Sequence, residues 1–263
     1  MAQMLISSPQ NPRVKSLLGL RERKGRARSG LLLVEGYDEL ALALAGGRAQ
    51  EVYFCPALWR DESQRALLRG FGEKQQFEVS ESVFHKIAYR QNPDGWLATF
   101  ALPALGLAAL RLPESPLLLV SEGVEKPGNL GAMLRTADAA GVSALISCDP
   151  LADWGNPNVV RNSKGALFTV QVAQASSAET LDWLRGLGVM IVAATPEADT
   201  LYTQADLRGG VALVVGTEHA GLSALWRQAG LLRVRLPMLG KVNSLNVATA
   251  AALLLYEALR QRG

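Results

Sequence analysis

Apolar residues are distributed along this chain in two ways. Short unbroken runs such as "LLLVE", "EVYFC", "PLLLV" and "VALVV" are bounded by polar or small residues, and between them apolar positions recur at helical spacing. Alternation of the two predicts an α/β protein. In the first part, Asn11 followed by Pro12 predicts a helix start, because proline suits the first turn, and the helix is expected to run to about Arg23. Then follow "LLLVE" as a strand, "DELALALA" as a helix, "EVYFC" as a strand, "ESQRALLRG" as a helix, "QFEVS" as a strand, "ESVFHKIA" as a helix and "WLATFAL" as a strand. Pro103, Pro113 and Pro116 punctuate the next stretch, which predicts one domain over residues 1–105, a linker over 106–115 and a second domain over 116–263.

Strands are expected in the second part at Leu117–Ser121, Ala144–Ser147, Thr169–Val172, Val189–Ala194, Val211–Val215 and Leu232–Leu236. Their nearly continuous apolar character suits a parallel sheet covered on both faces. The closing helix "LNVATAAALLLYEALRQR" has small residues in its first turns, which suits close approach by another backbone or helix; high helix propensity alone also accounts for them.

Composition narrows the function classes. A chain of 263 residues with 49% hydrophobic content can bury a large core. No apolar run approaches the ~18 residues that span a bilayer, and the first residues have no signal-like apolar stretch, so no membrane is expected and a cytoplasmic location is. Cys55 and Cys148 end apolar runs and read as buried, reduced thiols. With only His85 and His219 and no paired cysteine spacing, no metal site is expected.

The net charge of +3 is unevenly placed: up to Leu112 there are 15 Lys and Arg against 11 Asp and Glu, and afterwards 12 against 13. The segment 13–28 carries Arg13, Lys15, Arg21, Arg23, Lys24, Arg26 and Arg28 against the single acid Glu22. Such a density fits a surface for nucleic-acid phosphates; read alone, it also fits a solvated helix face.

Three strands of the second part lead into unusual polar loops: "SEGVEKPGNLGAMLRTADAAG", "VVGTEHAGLS" and "RLPMLGKVNSLNVATAAA". Ligands of open α/β sheets bind at the carboxyl ends of strands, so one crevice is expected to gather all three. In the first loop Leu130, Met133, Leu134 and Ala137 form the buried helical stripe. Arg135 falls beside it, its stem packed and its head able to reach a pocket. Asn129 sits at the helix entry, as a cap or as a ligand-binding group. In the second loop Gly216, Gly221 and Ser223 have the spacing of a triphosphate loop, but Leu222 stands where its lysine belongs, which removes the group that reaches the outer phosphates. Glu218 in that loop suits a ligand with a cationic or hydroxylated portion. In the third loop Ser244 either caps the last helix or helps hold a ligand.

In this order, "NLGAMLRTADAAG", "VVGTEHAGLS" and "LPMLGKVNSLNVATAAA" resemble the three signature motifs of SpoU/TrmH-type RNA ribose 2′-O-methyltransferases of the SPOUT class, and "VVRNSKGALF" resembles a further segment of that family. The first half, with "NPRVKSLLGLRERK" and "LLLVEGYDEL", is similar to the L30e-like substrate-binding domain of members that act on ribosomal RNA. One departure is Ala248, where the family more often has serine. The resemblance implies a parallel-sheet α/β domain with a trefoil knot, S-adenosylmethionine as cofactor, and a homodimer whose sites are completed across the interface. It implies methyl transfer to a ribose 2′-hydroxyl, with 23S ribosomal RNA as the expected substrate; transfer RNA, or a non-catalytic RNA-binding role in ribosome assembly, is the alternative. Carried onto this chain, Asn129, Arg135, Glu218, Ser244 and Asn246 form the catalytic and substrate-positioning set. Thr195, Gly216, Leu236, Met238 and Leu245 line the cofactor pocket, and Arg161 joins the basic residues of 13–28 in contacting RNA.

Overall fold

The computed structural model describes residues 5–217, 220–227, 231–242 and 244–263. They form two compact units, one holding the chain up to Pro103 together with Asp153–Thr169, the other Ala104–Ala152 together with Val170–Gly263.

In the first unit, helix α1 (Pro12–Gly19) begins at Asn11, whose side chain accepts from the Arg13 amide, with Pro12 in the first turn. It stops at Gly19 instead of reaching Arg23, and a second helix α2 (Arg23–Ser29) follows. Gly25 lies against the carbonyl of Gly19, where any Cβ would collide, so the chain turns a tight corner. Arg26 reaches back and donates to the carbonyls of Leu20 (2.9 Å) and Arg21 (2.7 Å), satisfying acceptors that the corner leaves without helical partners.

The rest of this unit comprises β1 (Leu31–Glu35), α3 (Tyr37–Gly46), β2 (Ala49–Phe54), β3 (Gln76–Glu78), α4 (Glu81–Ile87) and β4 (Trp96–Ala101). The sheet order is β1-β4-β2-β3, with β4 antiparallel to both neighbours. The segment Glu62–Gly70, expected as a helix, is one of the 3₁₀ type. Val14, Leu17, Tyr53, Phe84 and Leu97 are among the residues that fill the core.

The second unit begins with β5 (Leu117–Glu122), α5 (Pro127–Ala139) and β6 (Ala144–Cys148). Residues 153–169, with α6 (Pro157–Ser163), belong to the first unit, where α6 lies against β1. The second unit resumes with β7 (Gln171–Ala175), α7 (Ser177–Leu187), β8 (Met190–Ala194), β9 (Thr200–Leu201), β10 (Val211–Val215), α8 (Ala224–Arg227), β11 (Leu232–Arg235) and α9 (Val247–Arg262). Its strands form one seven-stranded sheet, wholly parallel, in the order β7-β6-β5-β10-β8-β11-β9. β7 starts later than expected because Ala166–Phe168 form a 3₁₀ turn that Thr169 closes. Every residue of β5, β6 and β10 is buried, which is the cause of their largely apolar sequence, although β5 closes on Ser121 and Glu122 and β6 includes Ser147. Among the described residues no helix is long and apolar enough to cross a membrane.

Candidate active site

The sheet order places the carboxyl ends of β10, β8 and β11 side by side, and a cavity of about 370 Å³ opens there. That volume suits a small ligand of nucleoside size. Thr195 follows β8, Gly216 follows β10, and Leu236, Met238 and Leu245 lie on the chain between β11 and α9; all five line the cavity, and Ser244 joins them. Gly216 has a specific reason to be glycine, since a Cβ there would run into the backbone carbonyl of Gly221. Gly221 itself adopts φ +65°, a conformation that costs glycine nothing. Thr217 and Gly221 exchange backbone hydrogen bonds of 3.2 and 3.1 Å, which brings the two sides of the second motif together.

At the rim, Glu197 accepts from the Thr195 hydroxyl, and this bond holds its carboxyl below the ordinary carboxylate range. Glu197 is exposed and lines the cavity, so it presents a charged acceptor to a ligand's hydroxyl or amine groups. Arg227 lines the same cavity. Neither stands inside a recognisable motif, so sequence reading passed over both.

The set of residues expected to be catalytic is only partly gathered. Asn246 Nδ2 donates to Asn129 Oδ1 at 3.1 Å, joining the first and third motifs. Asn129 does not cap α5: the cap position is Lys126 with Pro127 in the first turn, and Asn129 sits inside the helix. Ser244 does not cap α9 either, because Asn246 does so, accepting from the Ala248 amide at 3.0 Å and the Thr249 amide at 3.3 Å. That leaves the Ser244 side chain for the cavity. Arg135 is exposed on α5 and is not part of the cavity wall. Glu218 lies outside the described residues.

A residue that sequence reading passed over stands behind the cavity wall. Glu122, the last residue of β5, is only 7% exposed and accepts from the Ser223 amide (2.7 Å), the Ser223 hydroxyl (2.7 Å) and the Ser177 hydroxyl (2.8 Å). Ser223, which occupies the hydroxyl position of the false triphosphate loop, is thus held by an internal carboxylate. The signal was a charged residue closing an otherwise buried strand.

In the first unit the basic residues divide. Lys15, Arg23, Lys24 and Arg28 are exposed. Arg13 pairs with Glu51 and lies 4.0 Å from the centroid of the Phe77 ring. Arg21 donates to the carbonyls of Lys86 (3.0 Å), Ile87 (3.0 Å) and Ala88 (2.7 Å) at the end of α4. Arg26 corrects the expectation of a surface contact. It is 2% exposed and forms two bonds with Asp153, of 2.9 and 2.6 Å, so its guanidinium is committed to the interior. Arg161 is exposed on α6 beside a small recess lined by Glu35, Glu39, Tyr89 and Arg90. There burial pushes the Glu35 carboxyl up. Burial also opposes ionisation of Glu39, but Lys164 at 2.8 Å and Arg90 at 2.7 Å outweigh it and keep that carboxyl low.

Comparison with known proteins agrees with this geometry. Residues 116–256 match the SpoU rRNA Methylase family, and residues 11–98 match the MRM3-like substrate binding domain. The chain is 32% identical to the 23S rRNA (guanosine(2553)-2′-O)-methyltransferase RlmP of Bacillus subtilis over 95% of its own length and 97% of that protein. A crystal structure of an RNA 2′-O ribose methyltransferase superimposes with a TM-score of 0.86 at 43% identity, covering 98% of this chain and 99% of the other. An AdoMet-bound rRNA methyltransferase from Sinorhizobium meliloti gives 0.87 at 32% identity, covering 98% and 97%. With both parts of the chain matched and the motifs lying at one sheet edge, the chain belongs to the SpoU rRNA methylase family.

Proposed function

We propose that this protein binds S-adenosylmethionine in the cavity at the ends of β8, β10 and β11 and methylates a ribose 2′-hydroxyl of ribosomal RNA, with 23S RNA as the preferred target. The observation that carries this reading is the convergence of Thr195, Gly216, Leu236, Met238 and Leu245 on one cavity of about 370 Å³. The fit is chemical as well as spatial: apolar side chains and backbone groups form most of the wall, and Glu197 offers a carboxylate suited to sugar hydroxyls or an amino group. When bound, the cofactor would supply a sulfonium methyl group; the 2′-oxygen forms the new C–O bond as the S–C bond breaks, its electron pair stays on sulfur as a thioether, and the hydroxyl proton passes to water or an RNA phosphate.

The chain's own contribution is positioning. Asn129 and Asn246 hold the first and third motifs together at 3.1 Å, and Ser244 faces the cavity next to them. Arg135 orients the phosphate beside the reactive ribose and stabilises charge developing on the 2′-oxygen, a role that suits its permanently protonated fork and excludes it as a base. In this reading a homodimer completes the site, and the exposure of Arg135 on α5 leaves it open to a partner subunit. Leu253, Tyr256 and Leu259, which are 41%, 51% and 39% exposed on α9, supply an apolar stripe for that interface. The carboxyl edge of the second unit is expected to be built as a trefoil knot, and the protein to work in the cytoplasm. Lys15, Arg23, Lys24, Arg28 and Arg161 contact RNA phosphates.

The test is transfer of labelled methyl from S-adenosylmethionine to ribosomal RNA and, in parallel, to transfer RNA, followed by alkaline digestion. A labelled alkali-resistant dinucleotide from ribosomal RNA is the expected product, because a 2′-O-methyl group blocks cleavage at its own linkage. Label confined to transfer RNA would overturn the assigned substrate; absence of both label and cofactor binding would overturn the enzymatic reading.

A further inference from the structure

We propose that Glu122 is a positioning residue that sets cofactor affinity by clamping the second motif loop to the end of β5. This rests on the cofactor reading given above. A carboxylate is costly to bury, and Glu122, at 7% exposure, has no cation bonded to it among the described residues. What it has are two hydrogen-bond donors from Ser223 and a share of the single Ser177 hydroxyl proton, which also faces Asp149. Oε2 accepts from the Ser223 amide at 2.7 Å, and Oε1 accepts from the hydroxyls of Ser223 at 2.7 Å and Ser177 at 2.8 Å. An ionised carboxylate is the one common side chain that offers acceptors on both terminal atoms; glutamine would turn an N–H toward one of these donors.

The clamp joins a rigid support to a wall of the cavity. On the support side, β5 is a central, fully buried strand, and Ser177 lies in the first turn of α7, its hydroxyl also within 2.6 Å of Asp149. On the other side, Ser223 directly follows Gly221 and Leu222, both of which line the cavity. Leu222 is 2% exposed and packs in the core of the second unit, so holding Ser223 holds the backbone that faces the ligand. Glu122 is not part of the cavity wall. Its effect reaches the ligand only through Ser223, by keeping the wall in its binding shape before the ligand arrives and so sparing the cost of ordering it on binding.

The experiment uses the full-length protein and calorimetric titration with S-adenosylmethionine, with circular dichroism confirming that each variant is folded at the temperature used. Glu122→Gln and Ser223→Ala are each expected to raise Kd about tenfold, in line with loss of a charge-assisted hydrogen bond. Ser223→Thr, which keeps the hydroxyl, is expected to bind within about twofold of the wild type. In methyl-transfer assays KM for the cofactor is expected to rise while kcat at saturation is kept, a split that general destabilisation does not produce. Ser223 is exposed, so Ser223→Ala decides the matter should Glu122→Gln fail to fold. A wild type that binds while Ser223→Ala and any folded Glu122→Gln bind equally well overturns the clamp alone; a wild type without affinity overturns the cofactor reading and the clamp with it.

Discussion

The side-chain amides of Asn129 and Asn246, 117 positions apart in the sequence, meet at 3.1 Å, and the same Asn246 caps α9 through its other terminal atom. One residue therefore performs a structural task with its oxygen and a site-building task with its nitrogen. Asn246→Asp separates them. Aspartate caps a helix as well as asparagine does, so Tm is expected to move by less than about 2 °C. The donor to Asn129 is replaced by a repelling oxygen, and methyl transfer is expected to fall on the order of a hundredfold. Asn246→Ala, which loses both, is expected to cost about 1 kcal/mol of stability as well. Full activity in Asn246→Asp would mean that the amide pair has no part in catalysis.

Arg26 and its neighbours in the basic segment separate a folding role from a binding role. Arg26→Met leaves Asp153 without its partner and two corner carbonyls without a donor, and is expected to lower stability by about 3 kcal/mol in urea unfolding, with RNA affinity kept at temperatures where the variant is folded. The triple variant Arg23→Gln, Lys24→Gln, Arg28→Gln is expected to behave oppositely. Stability changes little, while RNA binding weakens and the slope of log affinity against log salt becomes shallower by about 2. An unchanged slope would return these three residues to an ordinary solvated surface.

Gly216→Ala tests the cavity wall. The added methyl collides with backbone at Gly221, which cannot swing away as a side chain would. Calorimetry is expected to find S-adenosylmethionine affinity reduced at least about a hundredfold, a loss larger than that of an ordinary packing contact. Binding at wild-type strength would show that the loop relaxes freely.

What the sequence disclosed and what it withheld follow from physical cause. "VALVV" and "PLLLV" read correctly as buried parallel strands because burial on both faces leaves no polar position in these runs to confuse the pattern. The five residues proposed to hold the cofactor were named through family resemblance, and their convergence on one cavity depends on a strand order that no local pattern encodes. "ESQRALLRG" read as a helix without its type, because over nine residues the apolar spacing does not separate i→i+3 from i→i+4 closure. The corner between α1 and α2 was missed for a different reason: it depends on Gly25 meeting Gly19 and on Arg26 folding back, contacts that look like one more helical turn with a basic face. Glu122 escaped because its partner Ser223 is 101 positions away.

Cys148 carries a prediction for alkaline solution. It is fully buried beside Thr180, and burial pushes its thiol up to about 12. In the unfolded chain a cysteine ionises near ~8.5. Between these values the folded state holds the proton that the unfolded state releases, so the contribution is whole below ~8.5 and is lost as pH rises toward 12. Stability of the wild type is expected to fall with a slope up to ~1.4 kcal/mol per pH unit steeper than that of Cys148→Ala over this window. Urea unfolding of both proteins from pH 8 to 10.5 checks it; parallel curves would mean that the thiol ionises in place.

The return of residues 153–169 to the first unit has a consequence for anyone who would treat the two halves as interchangeable modules. The amino-terminal block is stitched by Arg26 to Asp153 and by Glu39 to Lys164, and Phe168 lies against Phe100 with ring centroids 5.0 Å apart. A chimera cut once near position 104 would import the recipient's version of that segment and leave two charged sockets and an aromatic seat matched to a sequence no longer there. Replacing the first unit of this scaffold therefore means transplanting two pieces of chain together, since the contacts that hold it are divided between them.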